Sequence, residues 1–399
     1  MAEKKQFTMV IPTEPSYEEK LDDLEQNYRK KTFKRVVSAI FIVLALILGV
    51  QLWMALRSFD SYEVLEVAKH SKGGTTQYVS FQGKRAEYNS DGIVYLEGAD
   101  ELIWNQSFEM SAPQVDICGD YLAIYDQGGT AVYIMSETGL VKKIETSMPI
   151  SRVRIAGQGT VAILMKEENA SYVRLYDRKG KQLANGEFFL EKGSIPIDIA
   201  FSSDAQKLAV ASVDVNEGSV KSLVQFFNFG SVGQNEIDNQ VGIYTYENEL
   251  IPEIFFVGEE RFVALTSQGF VVFEGDQKPT PKRSVDYKRS VQSVFYNQKY
   301  IGITYRNEQA KDGWHIQVYD WNGNIVMEND TLIPYQSVEL LESNEVCVRD
   351  ANRCEIFTIH SIKKFSYAFE QTLCKVLSGE SSTSYTFVFE NETNEVRLD

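Results

Sequence analysis

The sequence has little of what an active site is usually built from. Only three histidines occur in 399 residues, His70, His315 and His360, and none lies within helical or hairpin spacing of another. A histidine metal cluster or a Ser/His/Asp triad would have to be assembled wholly by the fold. Cysteine is as sparse, and Cys118, Cys347, Cys354 and Cys374 show no spacing that reads as a disulfide framework. No G-x-x-x-x-G-K phosphate loop, G-x-S-x-G elbow or sialidase-type S-x-D-x-G-x-T-W box is present. Ser361 and Lys364 match S-x-x-K, but in a strand residues three apart point to opposite faces, so chance accounts for the match. "DVNEG" from Asp214 opens like a calcium loop, yet Gln225 stands where the bidentate Glu belongs, so a plain Asx turn is expected. These absences favour a non-enzyme without a cofactor or metal.

Positive charge is also short: 40 Lys and Arg face 56 Asp and Glu, for a net charge of −16. A surface of that sign repels phosphate backbones, which argues against nucleic acid as a partner.

One stretch lacks charge altogether. From Val36 to Leu56 no ionisable side chain occurs. At about 1.5 Å per residue, such a run makes a helix of roughly 31 Å, the thickness of a bilayer's hydrocarbon core. Its length and the absence of an A-x-A cleavage pattern argue for a retained transmembrane anchor over 36–56 rather than a signal peptide. Arg29, Lys30, Lys31, Lys34 and Arg35 crowd its N-terminal side, which by the positive-inside rule keeps the N-terminus cytoplasmic, and Trp53 sits where an indole anchors at the headgroups. The expected organisation is a cytoplasmic head over 1–35, the anchor, a linker over 57–75 and an extracytoplasmic domain over 76–399. In the head, a capping box of Ser16 and Glu19 predicts a short helix from about 17 to 31.

The outer part is rich in Val, Ile, Tyr, Phe and Thr, poor in Pro, and made of short alternating runs broken by Gly, Asn and Asp, so it reads as all-β. It also repeats. "DYLAIYD", "GTVAILM", "QKLAVAS", "ERFVALT", "KYIGITY" and "NEVCVRD" each centre a small residue, Ala123, Ala162, Ala209, Ala264, Gly302 and Cys347, at intervals of 39, 47, 55, 38 and 45 residues. That spacing is one four-stranded propeller blade per repeat. A first strand precedes each, as in "PQVDICG" and "ISRVRIAG", and a third strand ends in an Asp-to-Gly turn at Asp177–Gly180 and Asp320–Gly323. "DGIVYLEGADELIWNQSF" adds a blade, and the C-terminal run adds three strands of another. Assigning "TQYVSFQG", residues 76–83, as the missing outer strand closes an eight-bladed ring; seven blades is the alternative. Cys347 and Cys354 straddle a tight turn and could face each other as a cross-strand disulfide; the simpler reading is that Cys347 fills its blade's small-residue slot.

"IDIAFSSDAQKLAVASVD", Ile197 to Asp214, resembles the "FSPDGKKLA" repeat of TolB-type and WD-type propellers, with Ser203 in place of Pro and Ala205 in place of Gly. With the N-terminal anchor, the acidic propeller and "NFGSVGQNEIDN", nearly the whole chain resembles the membrane-anchored propeller family called domain of unknown function 5711, of clostridia-like Gram-positive bacteria. The resemblance implies a bacterial cell-surface location and no assigned reaction.

Two functional classes follow. The first is a membrane-anchored binding module that contacts lipid through its helix and presents loops to a protein, peptide or cell-wall glycan. The alternative is a channel-mouth enzyme or cofactor-binding propeller, quinoprotein-like or glycan-processing. The lack of catalytic signatures favours the first. The longest repeat interval points to Asn228–Asn248 as an insertion, and within it Asn235, Glu236 and Asp238 are the expected partner contacts.

Overall fold

The computed structural model describes residues 17–70, 76–189, 193–214, 220–307 and 313–399, with helix side chains over 28–47, at Gly49 and at Leu56. The "NEG" of "DVNEG" and the side chain of Trp53 lie outside the described residues.

Two units make up the chain, residues 1–57 and 58–399. The first contains one continuous helix, Tyr17–Leu56. It covers the 17–31 stretch expected to be helical but does not stop near residue 31, because no Gly or Pro interrupts the chain before Gly49; Ser16 of the expected capping box lies outside the described residues. Arg29, Lys30, Lys31, Lys34 and Arg35 are all exposed on it. Among the described residues no helix is long and apolar enough to cross a membrane.

The second unit is an eight-bladed β-propeller. Among the described residues, thirty-two strands form eight antiparallel four-stranded sheets. Blades 1 to 7 cover 77–107, 113–145, 150–189, 194–247, 253–286, 291–331 and 337–368, each in simple up-and-down order. Blade 8 combines three C-terminal strands from 373–398 with Tyr62–Lys69, which pairs with Glu392–Leu398. First strands of successive blades pack together around the centre, as Ile150–Ile155 does with Ser194–Phe201, and Ser194–Phe201 with Glu253–Val257.

The small-residue repeat marks the second strand of blades 2 to 7. These strands are buried on both faces, since one face packs against each neighbouring blade, and so they read as unbroken apolar runs. In blade 3, Val161, Ile163 and Met165 enter the core shared with blade 2, while Ala162 and Leu164 enter the core shared with blade 4. Both expected turns form: Asp177 Oδ1 accepts the amides of Lys179 and Lys181 with Gly180 at φ 84°, and Asp320 Oδ1 accepts those of Asn322 and Asn324 with Gly323 at φ 80°.

Two expectations are corrected. The ring does close by pairing an N-terminal strand with the last blade, but that strand is Tyr62–Lys69, inside the segment read as a 57–75 linker. "TQYVSFQG" instead supplies Gln77–Phe81, the first strand of blade 1, paired with Lys84–Asn89. Both are short runs with aromatic and branched residues; burial separates them, because Phe81 and Ala86 are fully inside while Tyr62–Lys69 is mostly exposed, as an outer strand should be. Second, the Asn228–Asn248 run is not all insertion. Gln240–Glu247 is the outer strand of blade 4, so the extra chain is 229–239.

Seven apolar cores join the blades in series from 1 to 8. Among the described residues none joins blade 8 to blade 1; a cleft of about 640 Å³ lies there, with Lys84, Arg85, Glu97, Glu380, Glu395 and Arg397 among its lining.

Candidate functional site

Polar side chains gather at the centre of the ring, and a cleft lies under the 229–239 insertion.

At the centre, polar side chains of the first strands reach the next blade. Asp116 of blade 2 accepts the amide of Ile155 at 2.7 Å and pairs with Arg154 at 3.2 Å. Asp198 of blade 4, fully buried, accepts the amide of Ile254 at 2.9 Å and pairs with Arg152 at 3.0 Å and Arg154 at 3.5 Å. Glu253 accepts the Tyr296 hydroxyl at 2.7 Å, and Glu339 pairs with Lys375. Burial lifts the Asp116 carboxyl above the ordinary aspartate range, opposed by the Arg154 charge and the Ile155 amide. Burial disfavours the Arg154 charge too, but the carboxylates of Asp116 and Asp198 outweigh it and hold the guanidinium charged. An acid of raised pKa near a cleft is a common sign of catalysis. Here both oxygens of Asp116 and Oδ2 of Asp198 meet a backbone amide or a guanidinium, which ties the blades together, while Oδ1 of Asp198 is buried beside Arg152 without a hydrogen bond.

The second place is built by the insertion. Phe229 to Asn239 folds into two 3-10 turns, Gly233–Asn235 and Ile237–Asn239. Gly233 is required there, since a Cβ on it would stand 1.6 Å from the Asn228 carbonyl oxygen. Asn235 Nδ2 donates to the Ser231 carbonyl at 2.8 Å, and Glu236 pairs at 2.6 Å with Lys278 of blade 5. Asn228 Nδ2 donates to the Gln277 carbonyl at 3.0 Å. Asp238 and Asn239 sit at φ 55° and 58°, a conformation that Asp and Asn tolerate better than most residues. The loop is thus tied down at both sides, and it displays Ile237 with 87% of its surface exposed.

Beneath it a cleft of about 520 Å³ separates the outer parts of blades 3 and 4. Phe188, Leu208, Phe227 and Phe229 give it apolar walls, and Glu187 and Asp238 place carboxylates on its lining. The three residues expected from the sequence therefore divide. Asp238 lines the cleft, whereas Asn235 and Glu236 hold the loop in place. Ile237 was missed, because an isolated Ile in a polar run gives no sign of whether it is buried. The blade 3 contribution was missed because Ala184–Phe189 reads as an ordinary strand.

The other singled-out residues are in structural use. His70 Nε2 hydrogen-bonds Thr393 Oγ1 at 2.9 Å, and His315 lies between Asp330 at 2.7 Å and Glu328 at 3.3 Å. Ser361 Oγ accepts the Glu328 amide at 2.9 Å, while buried Lys364 bonds Glu345 and, at 2.9 Å, the Tyr385 hydroxyl. Among the described residues no group of three or more His, Cys, Asp or Glu could hold a metal ion.

Residues 55–398 match the family described as "Family of unknown function (DUF5711)". The chain belongs to this family. For this DUF5711 member no curated protein sequence matches. Among solved structures it is similar to BamB from Moraxella catarrhalis, at 11% identity with a TM-score of 0.50, over 85% of this chain and 100% of that one. It is also similar to the WD40 domain of Neurospora crassa Pan2, at 10% identity with a TM-score of 0.46, over 86% and 97% of the two chains. At such identity the likeness is one of fold.

Proposed function

We propose that this propeller is a non-catalytic interaction module, anchored in the membrane of a bacterial cell by residues 36–56, with its N-terminus cytoplasmic and its blades outside. The observation that carries the binding role is the 229–239 loop. It is cross-tied to blade 5, carries an apolar side chain almost fully in solvent, and roofs a cleft with apolar walls. A surface paid for in ordered backbone and an unburied Ile is what recognition needs and what packing does not. The anchor rests on the uncharged run of bilayer length and on its basic N-terminal flank.

The binding role is tested by replacing Val232–Asn239 with a short Gly-Ser link and comparing proximity-labelled partners with those of the parent. Loss of specific partners by a protein that still folds is expected; an unchanged set overturns the role of the loop. The anchor is tested by a reporter active only in the cytoplasm, fused after Asp399: it should be silent, and activity overturns the topology.

A further inference from the structure

We propose that one face of the helix Tyr17–Leu56, formed by Lys30, Lys31, Lys34 and Arg35, binds the headgroups of anionic phospholipids in the cytoplasmic leaflet. The proposal rests on the membrane-anchor reading and names the lipid class that the anchored chain selects.

The four cations share one side of the helix. At about 100° per residue they follow one another around it in the order Lys30, Lys34, Lys31, Arg35, within an arc of about 140°. All four are exposed. Lys30 and Lys34 stand four residues apart, as do Lys31 and Arg35, while Lys31 and Lys34 stand three apart. Residues so spaced are neighbours on a helix surface, and like charges there repel.

Nearby sequence holds no anion to relieve them. Glu25 is the last acidic residue before Asp60, and no position three or four residues from any of the four cations carries an acid. Arg29 differs: it falls on the opposite side of the helix and has Glu25 four residues before it. A chain with a net charge of −16 thus sets four cations side by side without a local countercharge. An anionic surface beside the helix supplies that countercharge, which is how basic clusters next to a membrane span recruit acidic lipids.

Their level along the helix selects the headgroups. Lys30 to Arg35 covers about 7.5 Å of helix axis, against roughly 5–8 Å for the headgroup region on one side of a bilayer. The uncharged run begins at the next residue, Val36. With that run in hydrocarbon, the four cations stand level with the lipid phosphates. Phe33, 70% exposed and off the basic face, falls where aromatic rings gather at the interface. Ammonium and guanidinium groups donate to phosphate oxygens. A zwitterionic headgroup brings its own cation to that phosphate and competes with the side chains, whereas an anionic headgroup does not, so the face discriminates by net headgroup charge.

The test uses the full-length protein in neutral detergent with an equimolar mixture of phosphatidylglycerol and phosphatidylcholine, and native mass spectrometry counts the lipids retained. Phosphatidylglycerol should be retained at least tenfold over phosphatidylcholine. Lys30→Gln, Lys31→Gln, Lys34→Gln and Arg35→Gln combined should remove that preference while leaving helix content and the propeller's melting temperature unchanged. Arg29→Gln should leave the preference within twofold. Equal retention of the two lipids by the parent, a preference that survives the fourfold replacement, or an equal loss in Arg29→Gln overturns the proposal. Millimolar inorganic phosphate at constant ionic strength should not displace the lipid; displacement would make this a site for free phosphate and overturn the lipid assignment. Washing cell membranes with alkaline carbonate tests the anchor separately. Protein washed free that still prefers phosphatidylglycerol loses the anchor and keeps the basic face, whereas protein that resists washing without a lipid preference keeps the anchor and loses the face.

Discussion

Glu66 and Glu395 stand directly opposite each other in the strand pair that closes the ring. Like charges facing across a sheet oppose pairing. Burial raises the Glu395 carboxyl above the ordinary glutamate value of 4.5, with Glu66 and Glu380 adding to the rise and Arg85 opposing it. A raised acid pKa means that the folded protein holds this proton more tightly than the unfolded chain does. Its stabilising contribution is complete below about 4.5 and is lost as pH rises through the folded value. Glu395→Gln should therefore melt at a higher temperature than the parent at neutral pH, with the difference shrinking toward pH 4. An offset that does not change with pH in calorimetry would count against the pairing.

The same strand pair predicts where the propeller can be cut. A chain beginning at Ser58 keeps Tyr62–Lys69, whereas one beginning at Gly73 leaves the Glu392–Leu398 edge bare. The shorter chain should melt lower and scatter light at concentrations where the longer one stays clear. Equal behaviour would remove Tyr62–Lys69 from the ring.

Gly302 lies opposite Phe295, and a Cβ on it would stand 2.1 Å from the ring's Cζ. Gly302→Ala should cost about 1–3 kcal/mol by overpacking, measured by urea unfolding. Phe295→Leu in the same chain should recover part of that loss, since the two residues are in contact. A harmless Gly302→Ala would mean that the ring lies elsewhere.

Asp198 Oδ2 accepts from the Ile254 amide and from Arg154, while Oδ1 faces the Arg152 guanidinium at 3.0 Å without a hydrogen bond. Asp198→Ala leaves Arg152 without its carboxylate, Arg154 with Asp116 alone and a buried amide without its acceptor, at a cost of roughly 3–5 kcal/mol. The melting temperature should fall clearly, and a variant as stable as the parent would show that the tie does not hold blades 3, 4 and 5.

Cys347 and Cys354 bring their sulfurs to 3.7 Å, both without solvent exposure. The contact with the Cys347 thiol, followed by burial, holds the Cys354 thiol protonated well above its usual range, and burial pushes Cys118 up to about 11. Alkylation at pH 8 should spare Cys347 and Cys354 until the protein is unfolded, as mass spectrometry of digested protein can show. Labelling of both in the native protein would place them nearer the surface.

The repeat was legible because a strand sandwiched between two blades must be apolar on both faces. Ala123, Ala162, Ala209, Ala264, Gly302 and Cys347 thus announced six second strands, and the count of eight came from adding a fragment at each end, with seven as the alternative. The Asp-to-Gly turns at Asp177 and Asp320 were legible for a local reason, since each turn is closed by its own side chain. Which run closes the ring was not, because a short strand near the N-terminus does not show whether its partner lies some 330 residues away, as for Tyr62–Lys69, or next door, as for Gln77–Phe81. The cleft was half legible. A long polar run marked the loop, but Asp238 meets Ala184–Phe189 only when blades 3 and 4 stand side by side. Local sequence determines the blades through short-range periodicity; only the packing of one blade on the next decides which side chains face a common space.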